Sequence, residues 1–260
     1  MLRPRIIPCL LVHQGGLVKT VQFKSPKYVG DPINAVKIFN EKETDELVVL
    51  DIDATVRQAE PDFKLIANLA AECRMPLCYG GGVKTAHQAR RIIGLGVEKV
   101  AISSAALERP ALISEASSEI GAQSVVVVLD VRPNGRGGGY DVWTHNGQRN
   151  TGRSVMDVAR EVQSLGAGEI VINCIDCDGV GKGYDLALAM SIREAVHIPM
   201  TFLGGAGSLQ DIQLLVKACG VVGAAAGSLF VFKGPYRAVL INYPSPSVKD
   251  DLVVQALAAR

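Results

Sequence analysis

Apolar residues in this chain fall into short continuous runs, and between the runs lie segments whose apolar positions recur every three or four residues. The run RIIPCLLV at 5–12 is apolar almost throughout, as a parallel strand covered on both faces should be. Similar runs are ELVVLDID, MPLCYGG, KVAISSA, SVVVVLDV, EIVINCID, IPMTFLGG and GVVGAAAGS. Helical periodicity fills the gaps. Asp31 with Pro32 predicts the start of a helix running to about Glu43. Further helices are predicted near 61–73 and 84–95, over ERPALISEASSEI and RSVMDVAREVQSLG, over YDLALAMSIREAV and after GGAG. The stretch RPNGRGGGYDVWTHNGQRNTG reads as a hairpin set between a strand and its helix. Eight strands alternating with helices predict an α/β protein, a single (β/α)8 barrel, with site residues at the C-terminal strand ends and in the loops beyond.

The chain repeats itself. CYGGGVKTAHQARRIIGLGVEKVAISSAAL at 78–107 recurs in outline as FLGGAGSLQDIQLLVKACGVVGAAAGSLF at 202–230, which predicts two half-barrels of about 1–122 and 123–243. Residues 244–260 form a proline-bearing tail with a weakly helical end and no predicted role. Each copy sets Gly-Gly before a helix, and small residues follow strands four and eight (Ser103, Ser104; Gly227, Ser228). Glycine lets backbone N–H groups approach a ligand and a helix start favours an anion, so two phosphate cradles are expected.

Composition narrows the choice of function. With 260 residues, 48% of them apolar, the chain can bury a large core, and a net charge of +1 gives no electrostatic case for nucleic acid or an anionic membrane. No apolar run reaches the roughly 20 residues a membrane helix needs, and the start lacks a signal-peptide core, so a cytoplasmic location is expected. Six cysteines in apolar settings suit reduced thiols. Cys174 and Cys177 form a CxxC at a strand end and are read the same way, with redox or metal function as the lesser alternative. No cofactor or resident metal is predicted.

The candidate chemistry centres on Asp130, at the top of strand five. Sliding one half onto the other by about 120 positions places Leu11 opposite Asp130, whereas Asp53 falls opposite Asp176 and Glu46 opposite Glu169. A carboxylate at a strand's C-terminal end is placed for general acid or base work; its other reading is a structural acid holding Arg132 or a loop N–H. Lys19, in a long glycine-bearing loop, reads either as part of a lid or as a solvated surface lysine. Arg5, Glu46, Lys99 and Glu169 open strands one, two, four and six. They should gather at the N-terminal face, as structural ion pairs or as a constriction of the barrel floor.

RIIPCL, GDP at 30–32, DELVVLDI, YGGGV, GVEKV, NTG at 150–152, GAGEI, DCDG with KGYD, and GGAG together resemble the cyclase subunit of imidazole glycerol phosphate synthase, to about residue 243. The resemblance implies a barrel that receives ammonia from a glutaminase docked at the N-terminal face, with Arg5, Glu46, Lys99 and Glu169 as the ammonia gate. It carries over phosphate positions Gly82, Ser103 and Ser104 in one half, and Asp178, Gly179, Gly205, Gly227 and Ser228 in the other. Ser103 stands where the family usually has asparagine, and Leu11 where it has the aspartate that pairs with the match of Asp130. GSLFVFKG with RAVLINYP, and VKTVQFKSPKYVGDPINA, look like a diverged paralogue from bacterial surface-polysaccharide clusters. That likeness implies ammonia delivery, with a separate sugar amidotransferase, for an acetamidino sugar of lipopolysaccharide O-antigen. The alternatives are a histidine-pathway cyclase in which Asp53 or a water replaces the lost acid, and a non-catalytic scaffold that activates the glutaminase.

Overall fold

A computed structural model describes residues 3–135 and 137–258. Eight parallel strands, β1 (Arg5–His13), β2 (Leu47–Asp51), β3 (Leu77–Gly80), β4 (Lys99–Ile102), β5 (Val125–Pro133), β6 (Glu169–Cys174), β7 (Met200–Leu203) and β8 (Gly223–Ala226), pair in sequence order. The ring closes where β8 meets β1, with Arg5 beside Gly223. The chain is a (β/α)8 barrel, as its alternation predicts.

The helices form where the sequence supplies caps. Asp31 Oδ1 accepts from Asn34 N at 2.8 Å and opens α1 (Pro32–Glu41). That helix stops two residues before the predicted Glu43, which adopts a left-handed φ of 51°. Helices α2 (Phe63–Glu72), α3 (Ala86–Gly94), α4 (Ala111–Ile120), α5 (Val155–Ser164), α6 (Leu186–Ala195) and α7 (Leu209–Cys219) follow their strands. The repeat survives as matched detail. Capping boxes open α3 (Thr85, Gln88) and α7 (Ser208, Asp211), and one-turn helices follow β4 and β8. An antiparallel excursion follows both β1 (16–30) and β5 (140–154).

The core has two parts. The larger lies between strands and helices, around Phe39, Tyr79, Ile102 and Ile172. The smaller fills the barrel axis with Ile7, Cys9, Val48, Cys78, Ala101, Val126, Val128, Val171 and Ala225, and Leu11, Leu50 and Leu203 pack against it. Strand side chains alternate, so the odd residues of β1, Arg5 to Leu11, belong to the axis while Ile6 and Leu10 pack under the helices.

The tail, to which the sequence assigned no role, supplies the eighth helix of the ring, α8 (Pro246–Ala258), packed on α7. Its anchor is Lys249, whose ammonium is 2.5 Å from Asp45 Oδ1 and donates to the Glu43 carbonyl at 3.0 Å. Asp45 Oδ2 accepts from Ile6 N at 2.9 Å, which ties the tail to β1. Lys249→Ala leaves this carboxylate without its cation, and a loss of about 3 kcal/mol in unfolding free energy is expected. Urea unfolding measures it; a loss under about 1 kcal/mol would contradict the docking of α8.

Candidate functional site

A cavity of about 510 Å³ opens at the C-terminal mouth of the barrel, and every strand or its following loop contributes to its wall. The inward parity that fills the axis with apolar side chains delivers Asp130 from β5 and Asn173 from β6 to this mouth. They are register neighbours, and Asn173 Nδ2 donates to Asp130 Oδ1 at 2.8 Å. Burial dominates the acid's behaviour. It raises the Asp130 pKa to about 7, opposing the stabilising bond from Asn173 and adding to the field of Asp178. A carboxyl that titrates near neutrality can exchange protons in either direction. Arg132, offered above as its structural partner, lies instead against Asp176, with Nε 3.2 Å from Oδ1.

Leu11, on β1, lines the cavity with Leu50 and Leu203, so β1 brings no acid opposite Asp130. Asp53 is no substitute acid. It accepts from His13 Nδ1 at 2.6 Å and from Gln14 N at 2.8 Å, with Arg57 at 3.4 Å, and it lies outside the cavity wall. Those contacts override partial burial and lower its pKa. Asp51 does line the cavity, and burial raises its pKa against the N–H bonds it accepts from Asp53 and Ala54. In the sequence Asp51 is only the first of two aspartates that end the run ELVVLDID, and nothing local sets it above Asp53.

Lys19 is not a solvated surface lysine. It sits on the strand Gly16–Val21, which pairs antiparallel with β1, and its buried ammonium donates to the Cys9 carbonyl. Burial lowers its pKa. The 16–30 excursion is a hairpin rather than a loose loop, and its inward face carries the lysine into the mouth. Gly227 makes room there: a Cβ at that position would stand 2.5 Å from Lys19 Nζ.

The predicted phosphate positions divide. Gly82, Ser103, Ser104, Asp178 and Gly227 line the cavity, whereas Gly179, Gly205 and Ser228 lie outside its wall. Of the second group, Gly179 lies under the hairpin, where a Cβ would stand 2.3 Å from the Thr20 carbonyl oxygen. Gln22 N donates to the Asp178 carbonyl at 2.9 Å, and the Asp178 carboxylate accepts from Thr20 Oγ1 at 2.6 Å and Phe23 N at 3.2 Å. The first cradle is open. Among the described residues, the buried Ser103 hydroxyl and Asn173 Oδ1 have no hydrogen-bond partner, so each is a polar group for which a ligand could supply one. Lys84, His145 and Arg149 add basic groups to that side, and His145 N donates to Ser104 Oγ at 3.1 Å. The sequence reading missed Asn173 and these three. Asn173 had a signal, since Glu169, Val171 and Asn173 share one parity of an otherwise apolar strand.

At the opposite end, the four charged residues converge as predicted. Arg5 contacts Glu46 and is 2.8 Å from Glu169, and Lys99 Nζ is 2.9 Å from Glu46 and 2.8 Å from Glu169. Thr201, unnoticed in the sequence, donates to Glu169 at 2.6 Å. Burial alone would raise the Glu169 pKa, but Arg5 and Lys99 hold it down to about 2. The glutamates are nearly enclosed while the two cations remain partly exposed.

Residues 5–236 match the family model described as "Histidine biosynthesis protein". A Vibrio vulnificus (strain YJ016) protein, named provisionally as imidazole glycerol phosphate synthase subunit hisF3, is 57% identical over 249 residues, 96% of either chain. A Leptospira interrogans protein, provisionally named as the HisF subunit of the same enzyme, is 54% identical across 97% of this chain and 99% of its own. Imidazole glycerol phosphate synthase subunit HisF of Lactococcus lactis subsp. cremoris (strain SK11) is 38% identical across 100% of this chain and 97% of its own. Among the described residues, no helix is long and apolar enough to cross a membrane.

Proposed function

The chain belongs to the histidine biosynthesis protein family, and on that premise we propose that it is the barrel subunit of a glutamine-dependent enzyme of the imidazole glycerol phosphate synthase type, using ammonia on a phosphate-bearing substrate. The observation that carries this reading is the order of groups along the barrel axis: a charged ring at the floor, an axis filled by isoleucine, valine, alanine and cysteine side chains, then Asp130 at the mouth. Such an apolar axis opposes passage of ammonium, because an unpaired ion pays a large desolvation cost, and opposes neutral ammonia far less. A glutaminase seated on the floor would release ammonia at Lys99 and Glu46. The open cradle of Gly82, Ser103 and Ser104 takes a phosphate, and Asp130 holds or gives the proton that ammonia addition exchanges.

The residue opposite Asp130 favours one outlet for that ammonia. Cyclisation in this family uses two acids across the mouth, and Leu11 cannot transfer a proton, so our reading is amidation of a sugar for a bacterial surface polysaccharide. Cyclisation to imidazole glycerol phosphate is the second reading. It is favoured by the relatives' names and by Asp51, an acid in the same cavity with a raised pKa.

Supplying ammonium salt and the family's ribulosyl bisphosphate to the isolated chain separates the two. No imidazole glycerol phosphate is expected from the wild type, and Leu11→Asp is expected to raise turnover by at least about 100-fold, the usual worth of a placed acid. Wild-type turnover that Leu11→Asp leaves unchanged but Asp51→Asn abolishes would overturn the amidation reading in favour of the cyclase.

A further inference from the structure

The CxxC at the end of β6 has no part in the chemistry above. Its two sulfurs nevertheless meet: Cys174 Sγ donates to Cys177 Sγ at 2.8 Å across the tight turn Ile175–Cys177. We propose that Cys174 and Cys177 are a dithiol–disulfide redox site, in which Cys177 attacks a small-molecule disulfide and Cys174 resolves the adduct. Position assigns the roles. Cys177 is half-buried and reachable, whereas Cys174 is buried behind it. The thiol hydrogen bond from Cys174 favours a thiolate on Cys177 and lowers its pKa, as in other CxxC pairs.

The remaining thiols are placed differently. Cys9, Cys78 and Cys219 are buried, and Cys73, also half-buried, has its pKa pushed up to about 11 by burial. No third metal-ligating side chain joins the pair among the described residues. A disulfide needs the sulfurs at about 2.05 Å, so the turn has only roughly 0.8 Å to close.

The reaction balances as two exchanges. The Cys177 thiolate forms a bond to one sulfur of the small disulfide and expels the other as a thiolate, which takes a proton. Cys174 then loses its proton, bonds to the Cys177 sulfur and expels the second thiolate. Two protein thiols are oxidised and one external disulfide is reduced to two thiols.

The turn also carries part of the site. The Asp176 carbonyl accepts from Gln22 Nε2 at 3.0 Å, and Asp178 anchors Thr20 and Phe23, so the redox pair sits at the foot of the hairpin that covers the mouth. Oxidation therefore bears on the clamp over the cavity.

The test treats the reduced full chain with oxidised glutathione, quenches by alkylation at intervals and maps the cysteines by peptide mass. A disulfide joining Cys174 to Cys177 is expected to form about tenfold faster than any adduct on Cys73, and to reverse with dithiothreitol. Cys174→Ala should trap glutathione on Cys177, and Cys177→Ala should leave Cys174 unmodified. Modification of Cys177 no faster than Cys73, or a glutathione adduct that persists on Cys177 of the wild type, overturns the proposal. The wild-type measurement decides the matter even where a variant folds poorly.

Discussion

Asp130→Asn is expected to lower ammonia-dependent turnover by about 10²- to 10⁴-fold, the usual range for removing a general acid or base, and at the same time to stabilise the protein at alkaline pH. Asparagine keeps the shape and can still accept from Asn173, so the loss of turnover reports the lost proton rather than a lost fold. The stability effect follows from linkage. The Asp130 pKa is raised by burial from its ordinary 3.8 to about 7, so between those pH values the folded protein holds a proton that the unfolded chain has released. The contribution of Asp130 is therefore fully present below about pH 4 and is lost as pH rises to about 7, by up to about 4 kcal/mol. The asparagine variant lacks that slope and should be the more stable form at pH 8. Denaturant unfolding from pH 4 to 9 measures both. A wild type whose stability does not fall across this window, or a variant that keeps full turnover, would remove Asp130 from the proposed chemistry.

The charged floor makes the opposite prediction. Glu169→Gln leaves Arg5 and Lys99 facing Glu46 alone, and breaking an enclosed ion-pair network of this kind costs about 3–5 kcal/mol. Glu169 has its pKa lowered from 4.5 to about 2 against the cost of burial, so its stabilisation is complete above pH 4.5 and disappears as pH falls through 2. Wild-type stability should drop by about 3 kcal/mol over that acid window, and the Glu169→Gln curve should be flatter there. Lys99→Glu separates an ammonia gate from a merely structural ring. With a glutaminase partner present, glutamine-driven transfer should fall at least about tenfold while ammonium-driven transfer at saturating salt is kept. Equal losses in both assays would sink the gate and leave a structural ring.

Much of the fold was legible because local and global signals agree. Continuous apolar runs such as Val125–Leu129 suit strands covered on both faces, caps such as Thr85 with Gln88 start helices within a few residues, and parity along a strand is local. The floor residues were legible for the same reason: a charge at the first position of a strand in a parallel barrel has one end to go to. Leu11 opposite Asp130 could be read because the chain repeats.

What sequence could not supply lies in contacts between distant segments. Lys19 looks like a loop lysine until the 16–30 hairpin folds against β1 and turns its ammonium to the Cys9 carbonyl. Asp51 and Asp53 differ by two residues, yet one faces the cavity and the other is held by His13, Gln14 and Arg57. The tail has little amphipathic pattern of its own, and it becomes the eighth helix because Lys249 finds Asp45, 204 residues away. The sequence by itself determined the strand order, the parity of each strand and hence the charged floor, the apolar axis and the acid at the mouth, because these depend on backbone periodicity. The tertiary structure alone decided which polar groups are buried, which are paired and which are left open to a ligand, because burial and pairing are properties of segments brought together only when the barrel closes.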